Sequence, residues 1–304
     1  DGKVAVTQLL EANSGITIGA GALTIPVGAL TDGSVVNADL AVGALTRDKL
    51  ADVGKATYTV WLAAGVAYCE GVAAASHPLA IQACIDRANT AGGGTVYVQR
   101  GIYTGATWNL TVRANVALIG AGSGTLTATS TVLRPSSATT VFGTIDRNTS
   151  IEHFTVDMSL IPGSGVFGIA SGQISDVAIR HNYVYNSGSN VHTILQTFDG
   201  TVGNFKERLH FDHNRVEFTA SGAYPTFYVT GAGSALRDSS FSNNIITCDP
   251  PNNWMWDFTG GTPANPSRNF RVFGNYIENT GTTEGAVFQF GNLVDSDISG
   301  NIFI

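Results

Sequence analysis

From residue 95 onward, apolar and polar residues alternate in short runs of β-branched and aromatic side chains, parted by Gly, Ser, Asn and Thr. Val166-Phe-Gly-Ile169, Ile194-Leu-Gln-Thr-Phe198, Phe227-Tyr-Val229, Trp256-Asp-Phe258 and Phe288-Gln-Phe290 are such runs. A period of two in residues of this kind predicts strands, and the small polar residues between them predict turns. Aligned on Ile169, Phe198, Val229, Phe258 and Phe290, the runs recur at intervals of 29, 31, 29 and 32 residues. A second frame keeps the same phase: apolar, two variable residues, Asn, any residue, apolar. It holds Asn182, Asn214, Asn244, Asn275 and Asn301 at intervals of 32, 30, 31 and 26, and Ile151-Glu-His-Phe154-Thr-Val fits it with Phe in the Asn position.

A unit of about thirty residues cannot bury its own apolar face and must stack on copies of itself. The expected fold is therefore all-β: a parallel β-helix, a single-chain solenoid with one strand-turn-strand coil per repeat. Asn at one fixed corner can bond successive coils as an amide ladder and tolerates left-handed backbone there. Around that corner Val184, Val216, Ile246, Ile277 and Phe303 are expected to point inward. The chain begins at Asp1 without Met and ends at Ile304 in mid-coil, so the coils are expected to continue beyond residue 304.

The N-terminal quarter reads differently. Residues 1–55 repeat short units, among them Val27-Gly-Ala-Leu-Thr31 and Val42-Gly-Ala-Leu-Thr46. Residues 56–75 read as a Gly/Ala-rich connector of strand and loop, and residues 76–304 as the β-helix. Ser76-His-Pro78 predicts a helix start, with Ser at the N-cap and Pro in the first turn. Ala80, Ile81, Cys84, Ile85 and Ala88 share one face, and Gly92-Gly-Gly94 ends the helix.

Leu30-Thr-Asp-Gly-Ser-Val35 and Leu45-Thr-Arg-Asp-Lys-Leu-Ala-Asp52 resemble the repeats of bacteriophage tail fibres and tailspikes. The order helix, Gly-rich turn, strand Thr95-Val-Tyr-Val98 and Gly101-Ile-Tyr103 is similar to the start of the pectin-lyase-like right-handed β-helix superfamily. That resemblance implies a helix capping the first coil and says little about chemistry, because one fold serves many reactions. The superfamily's Asn-Thr-Asp, Asp-Asp and Gly-His-Gly sets are not visible in the chain, and neither is a clustered acidic calcium set with a nearby Arg.

Composition narrows the partners. Charged residues make up 13% of 304 residues, Gly numbers 36, and the net charge is −7. An acidic chain poor in Lys and Arg is a poor partner for nucleic acid or an anionic membrane. Cys69, Cys84 and Cys248 are odd in number and far apart, and read as buried free thiols rather than a disulfide framework or a zinc site.

Repeat phase groups the outward residues into rows. One holds Tyr185, Glu217, Thr247 and Glu278, and another Tyr183, Arg215, Ile245 and Tyr276. Coils stack at about 4.8 Å, so Glu217 and Glu278 have backbones roughly 10 Å apart. Their side chains can then reach the roughly 6.5–9.5 Å of an inverting glycosidase's acid and base, while tyrosine faces suit sugar rings. A further row holds Gly168, Thr197, Tyr228, Asp257 and Gln289, with Asp199 just beyond. Asp257 lies beside Trp254 and Trp256; Trp256 is assigned to the core and Trp254 to ligand contact. The candidate catalytic carboxylates are Glu217, Glu278 and Asp257. Tyr183, Tyr185, Arg215, Tyr228, Trp254 and Tyr276 are the candidate substrate contacts.

His181 and His213 share a slot that Asn243 and Gly274 fill on later coils, which is too few converging ligands for a metal. They read as turn residues, and His153, His192 and His210 form no convergent set. Gly120-Ala-Gly122-Ser-Gly124 precedes a Ser/Thr-rich stretch rather than a helix, and reads as a turn. No metal, cofactor or membrane insertion is expected. The resemblances imply an extracellular virion tail protein, a homotrimer, whose N-terminal segment meets other tail proteins. Its implied ligand is a bacterial surface polysaccharide, which it binds and can depolymerise. A free secreted polysaccharide lyase or hydrolase and a non-catalytic structural virion component are the alternatives.

Overall fold

A computed structural model describes residues 57–137, 140–161, 164–187, 192–219, 225–248, 254–279 and 286–304. The stretch read as an attachment segment, residues 1–55, lies outside them.

The described chain is a parallel β-helix with one helix, His77–Thr90. Each coil contributes a strand to each of three sheets. Sheet A has 14 strands, sheet B eight and sheet C seven. Residues 174–180, 183–186 and 192–198, for example, lie in A, B and C in turn, and the next coil repeats this with 205–212, 215–218 and 225–230. Between sheets A and B the chain turns in two residues, such as His181-Asn182.

The asparagines form the expected ladder. Asn182 Nδ2 donates to the Ile151 carbonyl at 2.9 Å, and Asn182 N–H and Nδ2 both donate to Asn214 Oδ1 at 3.0 and 3.1 Å. Asn214 repeats this toward Ile179 and Asn244, Asn244 toward Phe211 and Asn275, and Asn275 toward Phe241 and Asn301. Phe154, with no side-chain amide, ends the series by giving its backbone N–H to Asn182 Oδ1 at 3.0 Å. The left-handed backbone belongs to the residue before each ladder position: His153, His181, His213, Asn243, Gly274 and Gly300, with φ from 54° to 66°. The ladder asparagines are themselves not left-handed, which corrects the sequence expectation.

The inner rows are apolar and continuous. Val184, Val216, Ile246 and Ile277 are buried in sheet B; Phe303 continues their row and remains 54% exposed. Phe142 stacks on Phe167 at 5.3 Å, and Phe211 on Phe241 at 5.5 Å. In sheet C the expected alignment slips at one coil. A register shift between Thr193 and Leu195 pairs Thr197, not Phe198, with Val229. Thr197 is buried and Phe198 is 61% exposed, so Gln196, not Thr197, joins Tyr228 and Asp257 in the outer row. The bulge inserts one residue into the alternation and inverts every side chain after it.

Residues 57–73, read as a connector, form the strands Thr57–Ala63, Val66–Cys69 and Val72–Ala73. The first pairs in parallel with Gly94–Val98, so sheet A starts here. The helix packs its Ala80, Ile81, Cys84, Ile85 and Ala88 face inward, as its pattern requires. Ser76 is the N-cap residue in extended conformation, but its hydroxyl makes no capping bond. His77 holds this end instead: Nδ1 accepts from Thr104 N–H at 2.8 Å and Nε2 donates to the Gly65 carbonyl at 3.0 Å.

Cys69 and Cys84 are joined in a disulfide, not free thiols as expected. The helix folds back over the hairpin and brings two cysteines 15 apart in sequence to a Cα separation of 5.6 Å. The side chain of Cys248 lies outside the described residues. Replacing both cysteines by Ala is expected to lower stability by about 3 kcal/mol, the loop-closure value for such a separation. Melts with and without reductant check this. Asn214→Ala removes the side-chain partner of the Ile179 carbonyl and of the buried Asn182 N–H, and is expected to cost about 3 kcal/mol in urea unfolding. A cost no larger than that of an exposed Asn→Ala change would refute the ladder's energetic role.

Candidate functional site

The outer face of sheet B gathers most of the residues singled out from sequence. Register pairs Tyr183 with Arg215, Ile245 and Tyr276 on successive coils, and Tyr185 with Glu217, Thr247 and Glu278. Glu217 Oε2 accepts from Arg215 Nη2 at 2.6 Å and from the Tyr183 hydroxyl at 3.0 Å. The Arg215 guanidinium also covers the Tyr183 ring at 5.0 Å, and Tyr183 meets Tyr185 ring to ring at 6.1 Å. Burial, and then the Glu217 carboxylate, push the Tyr183 phenol upward, so it stays a hydrogen-bond donor. Glu217 is thus bound on two sides, an arrangement suited to an acceptor rather than to a proton donor. Glu278 stands two coils along the same row, beyond Thr247.

One further member of this face went unnoticed in the sequence. Asp157 pairs in register with Tyr185 and accepts from Arg134 Nε at 2.7 Å, with Asp157 4% exposed. It stands three residues after Phe154 as Tyr185 stands three after Asn182, so the repeat phase already contained it. The segment 121–130 lies over the same end. Gly124 N–H donates to Thr155 Oγ1 at 3.1 Å, and Arg134 Nη2 donates to the Leu126 carbonyl at 3.2 Å. This stretch is the turn expected after Gly120, running between strands Val116–Gly120 and Thr131–Pro135.

Sheet C carries the second row: Gly168, Gln196, Tyr228, Asp257 and Gln289. Asp257 is 8% exposed, and its Oδ1 accepts from both the backbone N–H (3.0 Å) and the hydroxyl (2.5 Å) of Thr259. It is built into its own turn. Trp256 is buried against Phe227 and Phe288, as assigned. The side chain of Trp254 lies outside the described residues. The structure therefore brings Tyr183, Tyr185, Arg215 and Glu217 together, sets Tyr276 and Glu278 further along that face, and leaves Tyr228 and Asp257 on another sheet.

Beyond that row lies a buried ion pair. Lys206 takes an inward position between Ile174 and Leu236, fully buried, with Nζ 3.2 Å from Asp199 Oδ2 and 2.6 Å from the Gly172 carbonyl. Asp199 also accepts from Gly172 N–H, Thr201 N–H and Asn204 Nδ2. Burial alone would raise the Asp199 carboxyl, but these donors outweigh it and bring it down to about 2. Burial pulls the Lys206 ammonium down, with Asp199 opposing. These groups tie one turn to the core, with the Lys206 and Asp199 side chains themselves buried. Among the described residues, no three His, Cys, Asp or Glu side chains are grouped to hold a metal, and no helix is long and apolar enough to cross a membrane.

No protein-family model matches the chain, and no curated protein matches it in sequence. Among solved structures, it is similar to the A-module of mannuronan C-5 epimerase AlgE4 of Azotobacter vinelandii. That likeness has 18% identity over 75% of this chain and 93% of that one, with a TM-score of 0.22. The A-module of AlgE6 from the same organism gives 14%, 75%, 95% and 0.23. ORF18 of Geobacillus virus E2 gives 12% identity, 74% of this chain, 58% of that chain and a TM-score of 0.20. Likenesses this faint carry nothing about chemistry, and the fold rests on the strand pairing itself.

Lys206→Met strands a buried carboxylate and is expected to cost about 3–5 kcal/mol, while Asp199→Asn with Lys206→Met costs less. The pair also sets an acid limit. A carboxyl held at about 2 stabilises the fold above the unfolded value near 3.9, and the gain is lost as pH falls toward the folded value. The wild type is therefore expected to lose stability between about pH 4 and 2 more steeply than Asp199→Asn. Parallel acid-unfolding curves would contradict this.

Proposed function

We propose that this chain is a tailspike-like or tail-fibre-like virion protein that binds a bacterial surface polysaccharide along the outer face of sheet B. The observation that carries the reading is the assembly of Tyr183, Arg215 and Glu217, bonded to one another on a stiff row with Tyr185 beside it. Aromatic faces take the apolar sides of sugar rings, and guanidinium and carboxylate take their hydroxyls. Tyr276 and Glu278 extend the platform along the stack, so a long repetitive glycan can lie across several coils. Residues 1–55 attach the protein to the tail in this reading, and the active form is a homotrimer.

Depolymerisation in this reading uses Glu217 and Glu278 across Thr247 as base and acid, from backbones two coils and roughly 10 Å apart. Asp257, bound into its turn, is the least accessible of the three carboxylates. The fixed position of Glu217 under Arg215 and Tyr183 favours binding over turnover.

The test is light scattering of the full chain, followed by incubation with capsule or lipopolysaccharide preparations and assay of bound glycan and new reducing ends. Arg215→Ala and Tyr185→Ala are each expected to weaken binding roughly tenfold, about 1.4 kcal/mol. Glu217→Gln with Glu278→Gln is expected to abolish any release of oligosaccharide. Unchanged binding in the Arg215 and Tyr185 variants would refute this face as the site. A monomer that still releases sugar would point to a free secreted enzyme instead.

A further inference from the structure

The left-handed slot between sheets A and B carries histidine on three successive coils. The His153 and His181 rings lie 5.2 Å apart and nearly parallel, at 6°, and His181 and His213 lie 5.2 Å apart at 34°. All three hold φ between 54° and 63°, and Asn243 continues the slot at 55°. Before His153 the ridge stops at Gly120, where a Cβ would lie 2.4 Å from the His153 carbonyl oxygen.

The charged groups around the ridge are already engaged. Glu152 precedes His153 and is paired with Arg180, which precedes His181, at 2.9 Å. Asp212 precedes His213 and accepts from the Ser240 and Ser242 hydroxyls. On the sheet B side, Tyr183 and Arg215 stand two residues beyond His181 and His213, both tied to Glu217. His210, on sheet A, has Nδ1 2.8 Å from Ser240 Oγ. From the segment after Gly120, Ser123 Oγ donates to the His181 carbonyl at 2.7 Å and adds no charge. Of the nearby carboxylates, Glu152 favours the charged form of His181, but burial and the neighbouring imidazoles outweigh it.

We propose that the His153–His181–His213 ridge is an acid-sensitive seam: its protonation sets like charges along one corner and weakens the packing of these coils. The arrangement already opposes the charged state. Burial, and then the two flanking imidazoles, hold His181 below the usual histidine range. A histidine lowered in the folded state binds fewer protons there than when unfolded, so stability is full above the unfolded value near 6.5 and is lost as pH falls through it. The seam borders the Tyr183–Arg215 platform, so acid loosens that edge as well. The inference rests on the ridge geometry and not on the glycan reading.

The experiment compares urea unfolding of the wild type and His153→Asn/His181→Asn/His213→Asn at neutral pH and about pH 5. Asn is chosen because Asn243 fills the slot natively. Between the two pH values the folded-to-unfolded ratio of the wild type is expected to fall several-fold further than that of the variant. Equal pH dependence would overturn the seam. If the triple variant does not fold, NMR titration of the wild-type imidazoles decides. Successive protonation with His181 last supports it, and three independent titrations at the ordinary histidine value overturn it.

Discussion

From Phe154 to Asn301 the stack depends on one repeated bond: an asparagine amide reaching from each coil to the one before it. A two-residue corner leaves backbone groups that neither adjoining sheet can pair, and burying them unpaired would be costly. The side-chain carbonyl of each Asn takes up the N–H of the preceding rung, and its NH₂ takes up a carbonyl on that same preceding coil. The corner is dry, satisfied and in register. With register set there, the inner rows align, and the outer rows of sheet B align with them.

Much of the architecture was legible because it is periodic. The Asn frame, the inward valines and isoleucines and the amphipathic helix face all follow from spacing, and the strand pairing agrees with each. What spacing could not supply was local. A bulge near Thr193–Leu195 moved Phe198 outward, although a phenylalanine in that run looks like core. The Cys69–Cys84 bond requires knowing that the helix returns over the hairpin, a contact between elements that no single element announces. The candidate site was legible in the same uneven way. Register put Tyr183 with Arg215 and Tyr185 with Glu217, but the mutual bonding of Tyr183, Arg215 and Glu217 depends on rotamers. Asp157 lies at the same phase, three residues after Phe154, and the outward row extends to it as well.

Several charges of the described chain are paired with one another. Lys206 and Asp199 neutralise each other inside the solenoid, and Arg134, Arg180, Arg208 and Arg215 each meet a carboxylate on an outer face. Such pairs fix geometry more than they add stability. At Glu217 the same economy has a functional side, because a carboxylate held by two donors presents one constant shape to a ligand. Sheet C differs, since its carboxylate serves the turn that follows it.

The left-handed corner slot separates two demands that most positions combine. Backbone conformation there is the same for His, Asn and Gly, while the neighbouring ladder residue bears the bonding between coils. Side chains in the slot are therefore released from the job of specifying the fold. From His153 to Asn243 the corner is a ruled edge that displays one side chain per coil, at the pitch of the stack, while the ladder beside it keeps the register.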